Sequence, residues 1–99
     1  MLKLKKHYSK TEMTEIYDRS YLTEIAFYIG TNKYMDNIIR EELIDKVDDI
    51  DGLVAFYLYV DFVANRFMNC DDTDCYRYVD ECFEQDLADF KKEYFELVD

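Results

Sequence analysis

The amino-acid sequence predicts an all-α protein, a compact single-domain bundle of four to five helices. The chain of 99 residues has no proline and only two glycines, whereas multi-stranded proteins normally need such residues at their turns. Apolar residues make up 49% of the chain and include ten tyrosines and seven phenylalanines, which is enough apolar surface for one core. Along most of the chain the apolar residues recur at three- and four-residue steps, the spacing of a helix face.

The first helical region is predicted over residues 11–29. Ser9 and Glu12 have the spacing of a capping box at its start, and Gly30 is placed as a C-terminal stop. The apolar positions change phase near Arg19, so the region is either one helix or two short ones.

A second helix is predicted over residues 35–50, where Thr31 and Asn32 precede it and either side chain can cap its start. Its apolar positions follow three- and four-residue steps: Met35, Ile38, Ile39, Leu43, Val47 and Ile50.

The third segment, residues 53–68, is the most hydrophobic and is predicted to be the central helix. Its apolar face is expected to be Leu53, Phe56, Val60, Val63, Ala64 and Phe67, with Tyr57, Asp61 and Asn65 on the wetter side. The same segment is rich in strand-forming residues, so an α+β protein with residues 53–64 as a strand is the minor alternative.

The fourth helix, residues 73–98, has the strongest pattern, and Asp72 or Thr73 can cap its start. If the helix is continuous, its 25 or so residues form a rod of roughly 37 Å. Its apolar face is predicted to be Cys75, Val79, Cys82, Phe83, Leu87, Phe90, Tyr94 and Leu97.

Charge divides the chain into two parts. The formal net charge is −11, but residues 1–10 carry four lysines and no acid, which leaves residues 11–99 with all 23 acids and a net −15. We therefore predict a basic N-terminal arm over residues 1–10 and a single acidic helical domain over residues 11–99. The arm is expected to be mobile, and the alternatives are that it binds the protein's own acidic body, a partner or a nucleic acid. The negatively charged surface of the acidic domain is expected to repel nucleic acid and anionic membranes and to attract a basic protein partner or a cation.

The expected location is the cytoplasm. Three clustered cysteines are an odd number and a poor disulfide framework, which fits a reducing compartment. The basic start lacks the hydrophobic region of a signal peptide, and the longest uncharged run, residues 52–60, is far below the roughly 20 residues that a membrane span needs.

No metal, cofactor or catalytic residue is predicted. The acidic segment around Gly52 resembles part of a calcium-binding EF-hand loop, but Val47 and Leu58 stand where that loop needs carboxylates. We expect a helix terminus and turn there instead, with Asp49 or Asp51 capping the third helix.

The cysteines with His7 lack the paired spacing of zinc ligands: Cys75 and Cys82 are expected in the core and Cys70 at the surface. No nucleophile is recognisably paired with a base, and no Gly-rich phosphate loop is present, so an enzyme is not expected.

The acidic outer face of the fourth helix is the predicted binding site. Residues 70–99 contain eleven acids and three bases, and pairs such as Asp80 and Glu84 lie four apart, which separates their side chains by about 5–6 Å on a helix. This spacing is near that of successive phosphates on a nucleic-acid strand. Like charges at this spacing destabilise the helix, which favours a functional reason for keeping them. The predicted partner-binding residues are Asp71, Asp72, Asp74, Asp80, Glu81, Glu84, Asp89 and Glu93.

In size, acidity, tyrosine content and predicted helicity the chain resembles small phage-encoded inhibitors of host defence, including DNA-mimicking antirestriction and anti-CRISPR proteins. The likeness is compositional and transfers no functional residue. It implies a non-enzymatic inhibitor that binds the basic surface of a nucleic-acid-binding protein in the host cytoplasm. The alternative is an acidic interaction module or homodimer subunit that uses a tyrosine-rich surface around Tyr57, Tyr59 and Tyr76, with the acids serving only solubility.

Overall fold

Five α-helices and a small two-stranded sheet form the part of the chain that the computed structural model describes. This part comprises the backbone of residues 2–21, 24–47, 49–71 and 74–97, and their side chains except those of residues 20, 21 and 49–53. The elements in chain order are β1 (Leu2–Leu4), α1 (Lys10–Tyr21), α2 (Glu24–Thr31), α3 (Lys33–Glu42), a 3₁₀ turn (Ile44–Lys46), α4 (Asp49–Met68), α5 (Cys75–Tyr94) and β2 (Phe95–Leu97). The prediction of an all-α bundle is confirmed.

The first helical region consists of two helices, as the phase change near Arg19 allowed. The capping box is formed: the Ser9 hydroxyl accepts from the Glu12 N–H at 3.1 Å, and the Glu12 carboxylate accepts from the Ser9 N–H at 3.3 Å. Gly30 is not a stop, because α2 continues to Thr31 and the described backbone contains no glycine with a positive φ.

The second predicted helix is shorter than its apolar pattern indicated. Asn32 caps α3 by accepting from the Met35 N–H at 3.2 Å, but the helix ends at Glu42 and a 3₁₀ turn follows. The turn still directs Leu43 and Val47 into the core, where they are buried. Buried residues thus continue to recur at three- and four-residue steps beyond the end of the helix. This spacing is why the sequence predicted a longer helix than the structure has.

Helix α4 is the centre of the protein and contacts α1, α2 and α5. Seven of its described side chains are buried, on almost every side of the helix: Ala55, Leu58, Tyr59, Val60, Phe62, Val63 and Ala64. The strand alternative for residues 53–64 is wrong, because a helix satisfies its own backbone hydrogen bonds inside such a core. The helix begins at Asp49, so Asp49 and Asp51 both lie in its first turn and neither is its N-cap.

Helix α5 ends at Tyr94, before the predicted residue 98. The chain then forms β2, which pairs antiparallel with β1 in the register Leu2 to Leu97 and Leu4 to Phe95. The Lys5 N–H also donates to the Tyr94 carbonyl at 3.0 Å. The start of the basic arm is therefore paired with the end of the chain and is not the mobile segment that we expected, and α5 is a rod of about 30 Å.

Candidate functional site

The predicted acids at the start of α5 have a structural role as well as a charge. Asp74 is the N-cap of α5, and its side chain accepts from the Arg77 N–H at 3.1 Å. Asp71 is exposed in the preceding bend, and Asp72, with the predicted Thr73 cap, lies outside the described residues. The cap is therefore one residue after Thr73 and two residues after Asp72, the two caps predicted from the sequence.

Replacement of Asp74 tests its structural role as the N-cap of α5. We expect Asp74→Ala to lower the free energy of unfolding by about 1 kcal/mol, because the first turn of α5 loses its side-chain acceptor. Asp74→Ser keeps an acceptor and should retain most of that stability, and Asp71→Ala is the matched exposed control. Urea denaturation measures all three, and an equal loss in the serine and alanine variants would contradict the capping role.

The exposed acids in the first half of α5 lie beside a surface depression shared with α3. Two adjoining pockets of about 460 and 320 Å³ lie between these helices and share Phe83 and Glu84 in their lining. We name this depression the acidic groove. Its acids are Glu41 and Glu42 at the end of α3 and Asp80, Glu81 and Glu84 on α5.

The charge of the acidic groove is largely uncompensated within the described part of the chain. Five carboxylates line it against one base, Lys91, whose ammonium lies 3.8 Å from the Glu42 carboxylate. Glu81 and Glu84 form no ion pair with any described residue. An exposed pair such as Lys91 and Glu42 contributes little, so the groove presents a strong negative potential.

Asp80 is held in place by a tyrosine from another helix. The Tyr28 hydroxyl of α2 donates to Asp80 Oδ1 at 2.6 Å, and this hydrogen bond raises the pKa of Tyr28. The Tyr28 ring packs against Tyr76 at a centroid distance of 4.8 Å. The carboxylate at this end of the groove therefore has a defined position, although it remains exposed.

An aromatic side chain lies at the same end of the groove. Tyr34 of α3 lines it, is 61% exposed, and has its ring 6.3 Å from the ring of Phe83. Sequence reasoning missed Tyr34, Glu41 and Glu42. All three residues belong to or precede the polar face of the second predicted helix, and only the apolar positions of that helix entered the prediction.

The remaining predicted acids do not belong to this groove. With 3.6 residues per turn, Asp80 and Glu84 lie about 40° apart around the axis of α5, whereas Glu93 is about half a turn from Glu84. Glu93 lines a different pocket, together with Lys5, Lys6 and Tyr8 of the basic arm. The predicted row of acids is therefore divided between two sides of the helix.

Asp89 is occupied by contacts within the protein. Its Oδ2 accepts from Arg66 Nη1 at 2.8 Å, and its Oδ1 accepts from Gln85 at 2.9 Å. These two hydrogen bonds, that of Arg66 first, lower the pKa of Asp89. The same Arg66 nitrogen binds Asp86, which is 2% exposed and which the sequence reasoning did not single out. Asp89 therefore connects α5 to α4 and is a poor candidate for partner binding.

The tyrosine surface of the alternative hypothesis is not formed. Tyr59 is fully buried, with its ring 5.4 Å from that of Phe90. Tyr57 is half-buried beside Tyr17, and Tyr76 is 42% exposed beside Tyr28. The most exposed apolar side chains among the described residues are instead Phe27, Met68 and Leu97.

Only Cys70 lies where it was predicted, at the surface, because Cys75 and Cys82 are not among the buried core residues. Cys70 is exposed, whereas Cys75 and Cys82 are half-buried, and all three are free thiols. Over the described ranges, no group of three or more His, Cys, Asp or Glu side chains is placed to hold a metal ion. The backbone of residues 49–52, which resembled part of an EF-hand loop, is helical.

Comparisons with known proteins found no family model, no curated protein and no solved structure that matches this chain. None of the helices in the described part of the chain has the length and apolar character required to cross a membrane.

Proposed function

We propose that this protein is a small acidic, non-enzymatic inhibitor that binds a basic nucleic-acid-binding surface by presenting its carboxylates in place of phosphates. The observation that supports the proposal is the acidic groove, where five acids from two helices lie together with one described base, Lys91. The proposed activity needs no cofactor and no metal. The partner is a protein or complex that binds nucleic acid, and direct binding to nucleic acid or membrane is opposed by the net charge of −11.

The groove provides a rigid arrangement of negative charges. Asp80 and Glu84 are one helical turn apart, so their Cβ atoms are separated by about 5–6 Å. Glu41 and Glu42 supply a second row from α3, which the sequence did not connect with α5. Two rows on fixed helices can meet several lysines or arginines at once without ordering a flexible segment, which lowers the entropic cost of binding.

Two kinds of contact are combined in this surface. The carboxylates attract a basic partner over long range and raise the association rate. Tyr34 supplies an exposed ring on which the guanidinium of an incoming arginine can stack, and tyrosine and arginine are both enriched in the centre of protein interfaces. The proposed contact residues are therefore Tyr34, Glu41, Glu42, Asp80, Glu81 and Glu84.

The biological setting that we propose is the cytoplasm of a cell whose nucleic-acid-binding defence protein is inhibited. Phage anti-CRISPR and antirestriction proteins of similar composition act by occupying such surfaces. The basic arm faces a different part of the molecule, because Lys5 and Lys6 line a pocket with Glu93 and not the acidic groove. It is therefore not needed for the proposed contact.

The second candidate function is an interaction module or homodimer without phosphate mimicry. It is favoured by Phe27 and Met68, which are 72% and 78% exposed. Phenylalanine and methionine are both enriched in protein interfaces relative to the rest of the surface.

Salt dependence distinguishes the two functions. We expect partners captured from a host lysate on the immobilised protein to elute steeply as salt is raised from roughly 50 to 500 mM, because screening shortens the electrostatic attraction. Mass spectrometry of the eluate then identifies them, and the first proposal requires nucleic-acid-binding proteins among them. Partners that stay bound at high salt, or self-association in sedimentation experiments that salt does not change, would support the apolar interface and reject mimicry.

A further inference from the structure

Three of the four lysines of the basic arm line one surface pocket of about 450 Å³. The lining includes Lys3, Lys5, Lys6 and His7, and no acid contributes to it among the described residues. The three lysines are exposed. We name this surface the basic pocket. Its charge is opposite in sign to that of the acidic groove on the same chain.

Two lysines of the basic pocket carry a charge that no described acid balances. Lys3 forms no ion pair with any described residue. The Lys5 ammonium donates to the backbone carbonyl of Lys92 at 2.9 Å, which is a neutral acceptor. Lys6 differs from both, because its ammonium lies 2.6 Å from the Glu12 carboxylate. The pocket therefore keeps positive charge on Lys3 and Lys5.

The basic pocket is fixed at a distance from the acids of its own groove. β1 is paired with β2, where Lys3 lies opposite Glu96, and the Lys5 N–H donates to the Tyr94 carbonyl at 3.0 Å. The arm is thus held beside the end of α5. The groove acids of α5 extend from Glu84 back to Asp80, roughly 15–21 Å before Tyr94 along the helix axis. A contact between these acids and the arm must therefore join two molecules.

The acidic groove offers carboxylates that a basic pocket can neutralise. Five acids line the groove against one described base, Lys91. Glu81 and Glu84 form no ion pair with any described residue. An incoming ammonium can also lie over the exposed ring of Tyr34. Both surfaces would gain, in such a contact, charge partners that they lack within their own molecule.

Salt screening controls the overall repulsion between two copies. Each copy carries a net charge of −11, and such charges repel over long range. At ~100 mM salt the Debye length is about 10 Å, so charges further apart are largely screened while opposite charges in contact still attract. At ~1 M salt the Debye length falls to about 3 Å, and the contact itself is weakened. Moderate salt is therefore the condition that favours the contact.

We propose that the basic pocket of one copy binds the acidic groove of a second copy, head to tail, with Lys3 and Lys5 meeting Glu81 and Glu84. Each copy has one pocket and one groove, so the contact leaves one of each free and repeats into a ring or a chain. A second copy bound in this way covers the groove, so self-association and binding of another basic partner exclude each other. The contact does not depend on the proposed inhibition.

The first test uses the wild-type protein at ~100 mM salt. A carbodiimide reagent joins a lysine amine to a carboxylate that it touches, and a mixture of ¹⁴N- and ¹⁵N-labelled copies identifies links between molecules by mass spectrometry. We expect links from Lys3 or Lys5 to Glu81 or Glu84 between copies, and their loss at ~1 M salt. A monomer at every concentration in sedimentation velocity, or intermolecular links confined to other residues, would overturn the proposal and would leave binding of a captured partner to be measured separately.

The second test exchanges the charges of the two surfaces. Lys3→Glu with Lys5→Glu is expected to weaken self-association at least about tenfold, because the pocket then repels the groove. Adding Glu81→Lys and Glu84→Lys to the same chain returns the net charge to −11 and restores opposite signs, so self-association should return. A loss caused by misfolding would not be repaired by substitutions on another surface, and circular dichroism checks the fold of each variant.

The matched control adds Glu15→Lys and Asp18→Lys to the chain with the reversed arm. Both acids are exposed on α1, outside the acidic groove, and the net charge again returns to −11. Self-association should stay lost in this control. Restoration by both pairs of substitutions would assign the effect to net charge, and restoration by neither, with the helical content unchanged, would show that the two surfaces do not meet. Either result would overturn the proposal.

Discussion

Reversing the charge of Asp80, Glu81 and Glu84 to lysine is expected to weaken binding to the captured partner by at least about 100-fold. These acids contribute three of the five carboxylates of the acidic groove, and the reversal replaces attraction with repulsion at the proposed contact. The three side chains are exposed, so the helical content and the thermal midpoint should change little. Binding is measured by surface plasmon resonance and folding by circular dichroism.

A matched variant controls for the change in net charge. Glu15, Asp18 and Asp45 are exposed acids on α1 and the 3₁₀ turn, outside the groove, and their reversal to lysine alters the net charge by the same amount. We expect the control to weaken binding much less, through the long-range attraction alone. Equal losses in both variants would reject the groove as the contact and leave only a dependence on overall charge.

Replacing Phe90 with alanine is expected to lower the free energy of unfolding by about 3–5 kcal/mol, a large part of the 5–15 kcal/mol typical of a domain. Phe90 is fully buried, and its ring packs against four others from α4, α5 and β2: Tyr59, Phe62, Tyr94 and Phe95. The substitution leaves a cavity that these rings can fill only in part.

Phe27→Ala is the control for Phe90→Ala, because it removes the same ring from a helical position that is 72% exposed. Its effect should stay within about 0.5 kcal/mol. Urea denaturation at neutral pH measures both variants. A loss below about 1 kcal/mol for Phe90→Ala would contradict its place at the centre of the core.

Local patterns in the sequence were enough to predict the helices and much of the core. Val79, Phe83, Leu87 and Phe90 are buried on one face of α5, as their spacing predicted. The ends of the helices were harder to predict where apolar spacing continues beyond the helix. Tyr94 and Leu97 keep a helix-like spacing, but the chain leaves the helix at Phe95 because Leu2–Leu4 is available as a strand partner. That partner lies at the other end of the chain and leaves no local signal.

The candidate site was only partly predictable for the same reason. The acids of α5 could be recognised from their number and spacing, but their separation into two sides depends on what each helix packs against. Arg66 on α4 occupies Asp86 and Asp89, whereas α3 brings Glu41 and Glu42 beside Glu84. Both arrangements depend on how the helices pack against one another, and neither produces a local pattern in the sequence. An ion pair between residues on different helices has no fixed spacing in the chain.

Competition with nucleic acid is the measurement that tests the central claim most directly. The captured partner is saturated with a labelled DNA or RNA that it binds, and the protein is added while the anisotropy of the label is followed. We predict that the nucleic acid is released in proportion to the protein added, with one protein displacing one bound site. The variant with Asp80, Glu81 and Glu84 reversed should release none. Simultaneous binding of the protein and the nucleic acid, with the anisotropy unchanged or increased, would contradict phosphate mimicry.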